Sequence, residues 1–287
     1  MKTLTGKNKL PLPFKHGEAH VYHGFHGKSR DGIYLGVELE FELELDTKNK
    51  NSFGYISSEF NQKGSDLRRH INSINQNVGR FGIIKDDGSL DYGIEIASAP
   101  VTYERHVHLW DEFFAKKKKD YKLKSRSNCG MHVHVSRKDI SEEQIVRLRY
   151  FFSQKDNQQF LEKIAGRKEN EYCEYRMVGL LNFKKGLDYS NEEEKKSLKE
   201  DYPDYPLEDF GSEKYQAINI SPNDTIEFRI FKAPETREEF LIRVQLVRAL
   251  ISWQKTRKNL TLESFKKFIS GNNKFKELHE FVLKKNL

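Results

Sequence analysis

Cysteine is scarce: the 287 residues contain two, Cys129 and Cys173. They are too few and too far apart for a disulfide framework or a cysteine-based zinc site, and they fit a reducing compartment. No run of about 18 apolar residues occurs, so no membrane span is expected. The opening Met-Lys-Thr-Leu-Thr-Gly lacks the apolar core of a signal peptide, which points to the cytoplasm. No segment recurs at a fixed period, which excludes solenoids and propellers. Neither a Ser/His/Asp nor a Cys/His arrangement can be picked out. Cys129 has no identifiable partner base and reads as a small buried thiol.

The chain is not short of aromatics, with 20 Phe and 13 Tyr spread along its length, and this excludes a disordered chain. The formal net charge is +7. That balance would suit an anionic partner, but a solvated lysine-rich surface is the plainer reading. Lys116 to Lys119 close an expected helix, where cations suit the negative end of the dipole. Residues 1–32 read as an irregular arm. Its His16, His20, His23 and His26 match no standard metal-site spacing.

Residues 34–45 alternate apolar and polar as a half-buried strand does. A helix is expected over 66–78, capped by Ser65. Strands follow at 81–85 and 94–97, on either side of the turn at 86–89. A helix is expected over 103–119 behind Thr102, then an alternating strand over 130–136. Ser141 to Gln144 has the form of a capping box, opening a long helix to about 164. Residues 184–213 are charged, contain Pro203 and Pro206, and read as a loop or lid. A hairpin is expected over 214–221 and 225–232. A second capping box at Thr236 opens a helix to about 254, and two short helices finish the chain. The irregular alternation and the antiparallel pairs favour an α+β class, with residues 33–287 as one domain.

The strands share a division of faces. In the first, Val37, Leu39, Phe41 and Leu43 lie on one side, and Glu38, Glu40, Glu42 and Glu44 on the other. Met131, Val133 and Val135 oppose His132 and His134. Ile226, Phe228 and Ile230 oppose Glu227 and Arg229, and Glu95 lies opposite Ile94 and Ile96. A sheet with one wetted face would show such alternation too. A wetted face would also carry Lys, Thr and Ser, however, whereas here the polar positions converge on residues that bind metal or phosphate. Glu38, Glu40, Glu95 and Glu227 would repel one another unless cations neutralised them. Hard oxygen ligands suit Mg²⁺ or Mn²⁺, and Arg229 beside Glu227 could clamp a phosphate.

Four segments carry a resemblance. Ser-Asn-Cys-Gly-Met-His-Val-His-Val-Ser (127–136) resembles the Gly-Met-His-x-His-x-Ser run of glutamine synthetases. Gly-Val-Glu-Leu-Glu-Phe (36–41) resembles the opening Glu-x-Glu strand of that superfamily, and Thr-Ile-Glu-Phe-Arg-Ile-Phe (225–231) its late Glu-x-Arg strand. Asp-Gly-Ser-Leu…Glu-Ile (87–96) resembles a segment of the glutamate–cysteine ligase branch. In size and pattern the chain is similar to the amidoligase family, small carboxylate–amine ligases of that superfamily found in bacteria and phages. The motifs span roughly residues 33–232.

The resemblance implies a glutamine-synthetase-like antiparallel sheet with helices on one face and a metal and ATP site on the other. Glu38, Glu40, Glu95, His132 and Glu227 would be metal ligands for Mg²⁺ or Mn²⁺. His134 and Ser136 would lie near the nucleotide, and Arg229 would contact the transferring phosphate. Lys214, Arg176 and Asn219 would be phosphate or substrate contacts. Glutamate as substrate is not implied, because the chain departs from glutamine synthetase in length and over residues 137–213.

The reaction implied is ATP-dependent amide formation from a carboxylate and an amine through an acyl phosphate, in a bacterial or phage-infected cytoplasm. The amine donor would be a small molecule, a peptide or a protein. A phosphotransferase on the same sheet, a two-metal nuclease, and a basic binding or structural protein are the alternatives. Nucleic acid is not the expected partner, because the first strand is purely acidic and apolar.

Overall fold

The computed structural model describes residues 27, 29, 31–44, 66–85, 87, 89–175, 215–255 and 261–287. The four arm histidines, the Ser65 cap and the 184–213 loop lie outside the described residues. By its internal packing the chain divides into two compact units. One comprises residues 1–135 with 231–245, the other residues 136–230 with 246–287.

In the first unit β1 (Leu35–Leu43) is the central strand. The order is β2 (Gly82–Lys85), β3 (Gly93–Ser98), β1, β5 (Gly130–Ser136), and every pairing is antiparallel. A two-residue strand, β4 (Leu123–Lys124), pairs with the C-terminal end of β1. The register places Glu38 opposite Ala97 on one side and His132 on the other, and Glu40 opposite Glu95. Gly93 makes the β1–β3 approach possible, since a Cβ there would stand 2.5 Å from Phe41 O.

The alternation of β1 has the expected consequence. Leu35, Val37, Leu39, Phe41 and Leu43 are all buried, and their face meets the helices. Three helices, α1 (Asp66–Val78), α2 (Tyr103–Leu109) and α3 (Asp111–Lys117), belong to this unit. Leu67, Ile71, Ile74 and Val78 of α1 are buried at helical spacing. The ring of Phe41 lies 5.8 Å from that of Phe113 on α3. Trp110 packs against Phe81, Phe113 and Phe240 at centroid distances of 4.9, 5.3 and 5.1 Å.

That tryptophan also corrects the expected helix over 103–119. The structure has two short helices, because Trp110 leaves helical geometry (φ −97°, ψ −2°) to bury its indole in this cluster. Thr102 caps α2 as expected, with its side chain accepting from Arg105 N.

The second unit holds β6 (Ile218–Asn219) and the first six residues of β7 (Thr225–Lys232), paired antiparallel. It also holds α4 (Glu142–Ser153), α5 (Lys155–Ala165), α7 (Leu262–Ser270) and α8 (Lys276–Lys284). The helix α6 (Arg237–Gln254) supplies Trp253 to this unit. The Ser141 box is present in full, with Gln144 N donating to Ser141 Oγ and Ser141 N to Gln144 Oε1. The long helix expected behind it is interrupted at Gln154, whose backbone is extended (φ −75°, ψ 127°). At α6, Glu239 N donates to Thr236 Oγ1 at 3.2 Å, but the Glu239 carboxylate accepts from Glu235 N, one residue earlier than a capping box requires.

Phe151, Trp253 and Phe265 form the aromatic core of this unit, with Trp253 5.2 Å from Phe151 and 5.1 Å from Phe265. Arginines fasten the short strand β6. Arg149 donates to Ile218 O through Nε and Nη2, and Arg137 donates to Ile220 O at 3.0 Å.

The architecture is α+β with an open antiparallel sheet. Among the described residues no helix is long and apolar enough to cross a membrane.

Candidate active site

The face of β1 turned away from the first unit's helices carries the expected carboxylates and imidazoles. Glu38 stands between two histidines of β5. Its Oε2 lies 3.4 Å from His132 Nδ1 and 3.5 Å from His134 Nε2. Burial works against ionisation of Glu38. The hydrogen bonds to His132 and His134, with the charges of His134 and Lys85, overcome that and hold its carboxyl well below the usual range. Glu40, also buried, accepts from Gly130 N at 2.5 Å through Oε2, and its Oε1 lies 3.9 Å from His132 Nε2.

Glu95 is fully buried on β3. Lys85 of β2 is registered opposite it and donates from Nζ to Glu95 Oε1 at 2.6 Å and to Glu38 Oε1 at 3.1 Å. Burial and the nearby charge of Glu38 push the Glu95 carboxyl up, against the pull of Lys85. For Lys85, burial favours loss of the proton, but Glu38 and Glu95 outweigh it and raise the ammonium above its ordinary value.

Glu42, on the same face, has a different role. Its Oε1 accepts from Asp91 N and Asn128 Nδ2, each at 3.0 Å, and its Oε2 from Tyr92 N at 2.9 Å. It clamps the β2–β3 connection and the segment before β5 onto β1. Glu44 pairs with Lys124 near the surface.

In the second unit, β7 presents Glu227 and Arg229 two residues apart and therefore on one face. Arg229 Nη1 donates to Glu227 Oε1, and Asn219 of β6 donates from Nδ2 to Glu227 Oε2 at 2.6 Å. The hairpin thus joins three of the expected residues. Ser136 closes β5 and is half-buried. Arg176 and Lys214 lie outside the described residues.

A divalent cation suits the first-unit donor set. Glu38 Oε2 lies within 3.5 Å of an imidazole nitrogen from each of His132 and His134, and Glu40 Oε1 lies 3.9 Å from the other ring nitrogen of His132. Carboxylate oxygen and imidazole nitrogen are donor types that hold divalent cations. Glu38 and His134, whose Oε2 and Nε2 are 3.5 Å apart, are the first-unit pair placed to hold such an ion. Cys129 offers no alternative nucleophile, because burial pushes its thiol up to about 12.

Sequence reasoning passed over Lys85 and the clamp at Glu42. Lys85 was detectable, since it occupies a polar position at the end of an expected strand. The clamp was not, because its donors are mostly backbone groups whose position depends on register.

Fold and face together define an α+β protein that gathers carboxylates and imidazoles on one side of an antiparallel sheet. A family model described as "Putative amidoligase enzyme" matches residues 32–251. The chain belongs to this amidoligase family, a family of amide-bond ligases. No curated protein matches the chain.

Proposed function

We propose that the protein is an ATP-dependent ligase that joins a carboxylate to an amine through an acyl phosphate, on a sheet of the glutamine-synthetase kind. The supporting observation is the packed row of Glu38, Glu40, His132 and His134 on one face of the sheet, in a chain of the amidoligase family. A carboxylate is a poor acylating agent because oxide is a poor leaving group, and phosphorylation supplies a better one. The substrate carboxylate attacks the γ-phosphoryl group of ATP. The amine then attacks the acyl phosphate, giving an amide, ADP and phosphate.

In this reading Glu38, Glu40 and His132 hold Mg²⁺ or Mn²⁺, with Glu227 as a further ligand. When bound, the ion neutralises charge on the phosphates. Arg229 stabilises the transferring phosphoryl group, where two fixed donors outperform an ammonium. His134 and Ser136 serve the nucleotide. Arg176, Lys214 and Asn219 serve phosphate or substrate. The amine donor is a small molecule, a peptide or a protein, and the use of ATP places the reaction in the cytoplasm.

Hydroxylamine tests the reading. A panel of carboxylic acids with ATP, Mg²⁺ and hydroxylamine should give a hydroxamate from the correct acid, with equal amounts of ADP and phosphate. With ¹⁸O in the carboxylate, one label should end in the phosphate. A kinase would leave the phosphoryl group on its acceptor, and a nuclease would not need ATP. Amide formed from the correct acid without label in phosphate would remove the acyl phosphate from the mechanism.

A further inference from the structure

We propose that Lys85 is a built-in cation of the carboxylate row, and that Glu95 is the positioning residue that holds it there rather than a metal ligand. The inference rests on the metal reading above and assigns its parts differently. It stands on three observations.

First, the Lys85 ammonium is shared between two carboxylates, at 2.6 Å from Glu95 and 3.1 Å from Glu38, on side chains that are 8%, 0% and 17% exposed. An ammonium taken from water to this depth is stable only where carboxylates surround it. Second, the β2–β3 register sets Lys85 directly across from Glu95, so the pair is fixed by backbone pairing and not by a flexible excursion of the lysine. Third, the two glutamates that face the imidazoles are Glu38 and Glu40, whereas Glu95 presents its Oε1 to Lys85 and its Oε2 is buried without a partner.

Lys85 therefore already occupies a position that a cation would take between Glu38 and Glu95. It offsets one negative charge permanently. It also orients Glu38, leaving the other oxygen of that carboxylate, Oε2, toward His132 and His134. A divalent ion then belongs on the Oε2 side of Glu38, toward the imidazoles. Glu95 supports that ion only at second hand, through the lysine.

Counting bound Mn²⁺ per chain by electron paramagnetic resonance tests this without reference to catalysis. Glu95→Gln keeps an oxygen for Lys85, and should retain the wild-type Mn²⁺ count with affinity within about threefold. Glu38→Gln should weaken binding about tenfold or more, as expected for a ligand or a group next to one. Lys85→Met frees Glu95 and Glu38 together, and should bind one more Mn²⁺ than wild type. The double variant Lys85→Met/Glu95→Gln should return to the wild-type count.

Loss of an ion in Glu95→Gln alone would make Glu95 a ligand and overturn the proposal. So would an unchanged count in Lys85→Met, which would make Lys85 an ordinary ion pair. If Lys85→Met does not fold by circular dichroism, the Glu95→Gln result decides. The hydroxamate assay reports on ligase chemistry separately, so failure of that reaction and failure of this assignment can be told apart.

Discussion

At the scale of single residues, the same side-chain type serves opposed ends in this protein. The alternation of β1 makes Glu38, Glu40, Glu42 and Glu44 equivalent in sequence, yet Glu42 is a structural clamp and Glu44 a surface ion pair. Alternation reports which face a residue occupies, not which donors will reach it. His106 makes the same point from the apolar side. It is fully buried, with Nε2 on Leu35 O at 2.8 Å and Nδ1 accepting from Trp110 Nε1 at 3.1 Å, so its ring must be neutral. Burial lowers its pKa to about 4, partly resisted by the Leu35 carbonyl. Between about 6.5 and about 4 the unfolded chain binds a proton that the folded ring refuses. Stability should therefore fall as pH drops through that window, by up to about 1.4 kcal/mol per unit. Urea midpoints measured against pH should show this slope in the wild type. In His106→Gln the slope should be shallower by that amount. Identical slopes would mean that the ring is protonated in the folded state.

At the scale of elements, the longer strands were legible because period-two alternation survives packing, whereas the two-residue β4 was not foreseen and the strand expected over 214–221 is only Ile218–Asn219 among the described residues. Helix continuity was not legible. The breaks at Trp110 and Gln154 carry no Pro or Gly, and the first exists because an indole is drawn into an aromatic cluster that only the fold assembles. Connections between elements depend on the Glu42 clamp in a testable way. Glu42→Ala would leave the amides of Asp91 and Tyr92 and the side chain of Asn128 without their acceptor, costing about 3 kcal/mol or more. Hydrogen exchange should show it locally, with the Asp91 and Tyr92 amides losing protection before those in the middle of β1. Uniform loss across the sheet would mean that the clamp has no local role.

At the scale of the whole molecule, the α+β class and family membership were readable because four short motifs fall in order on strands. The arm at 1–32, but for a few residues, and the 184–213 segment lie outside the described residues. The pairing of Lys85 with Glu95 was hidden for a different reason: it requires the β2–β3 register, and ten residues separate the two along the chain. The arginines that reach β6 from elsewhere, Arg149 on α4 and Arg137 just after β5, bear on how copies of the protein behave toward one another. An outer strand normally offers free carbonyls to any passing chain, and that is how folded proteins begin to stack into fibres. Here the oxygens of Ile218 and Ile220 are already held by Arg149 and Arg137, so an incoming strand finds two of its docking points closed. Arg149→Met should reopen one of them. Incubated at a urea concentration just below its unfolding transition, that variant should develop thioflavin T fluorescence and light scattering, while the wild type at the same fraction folded stays clear.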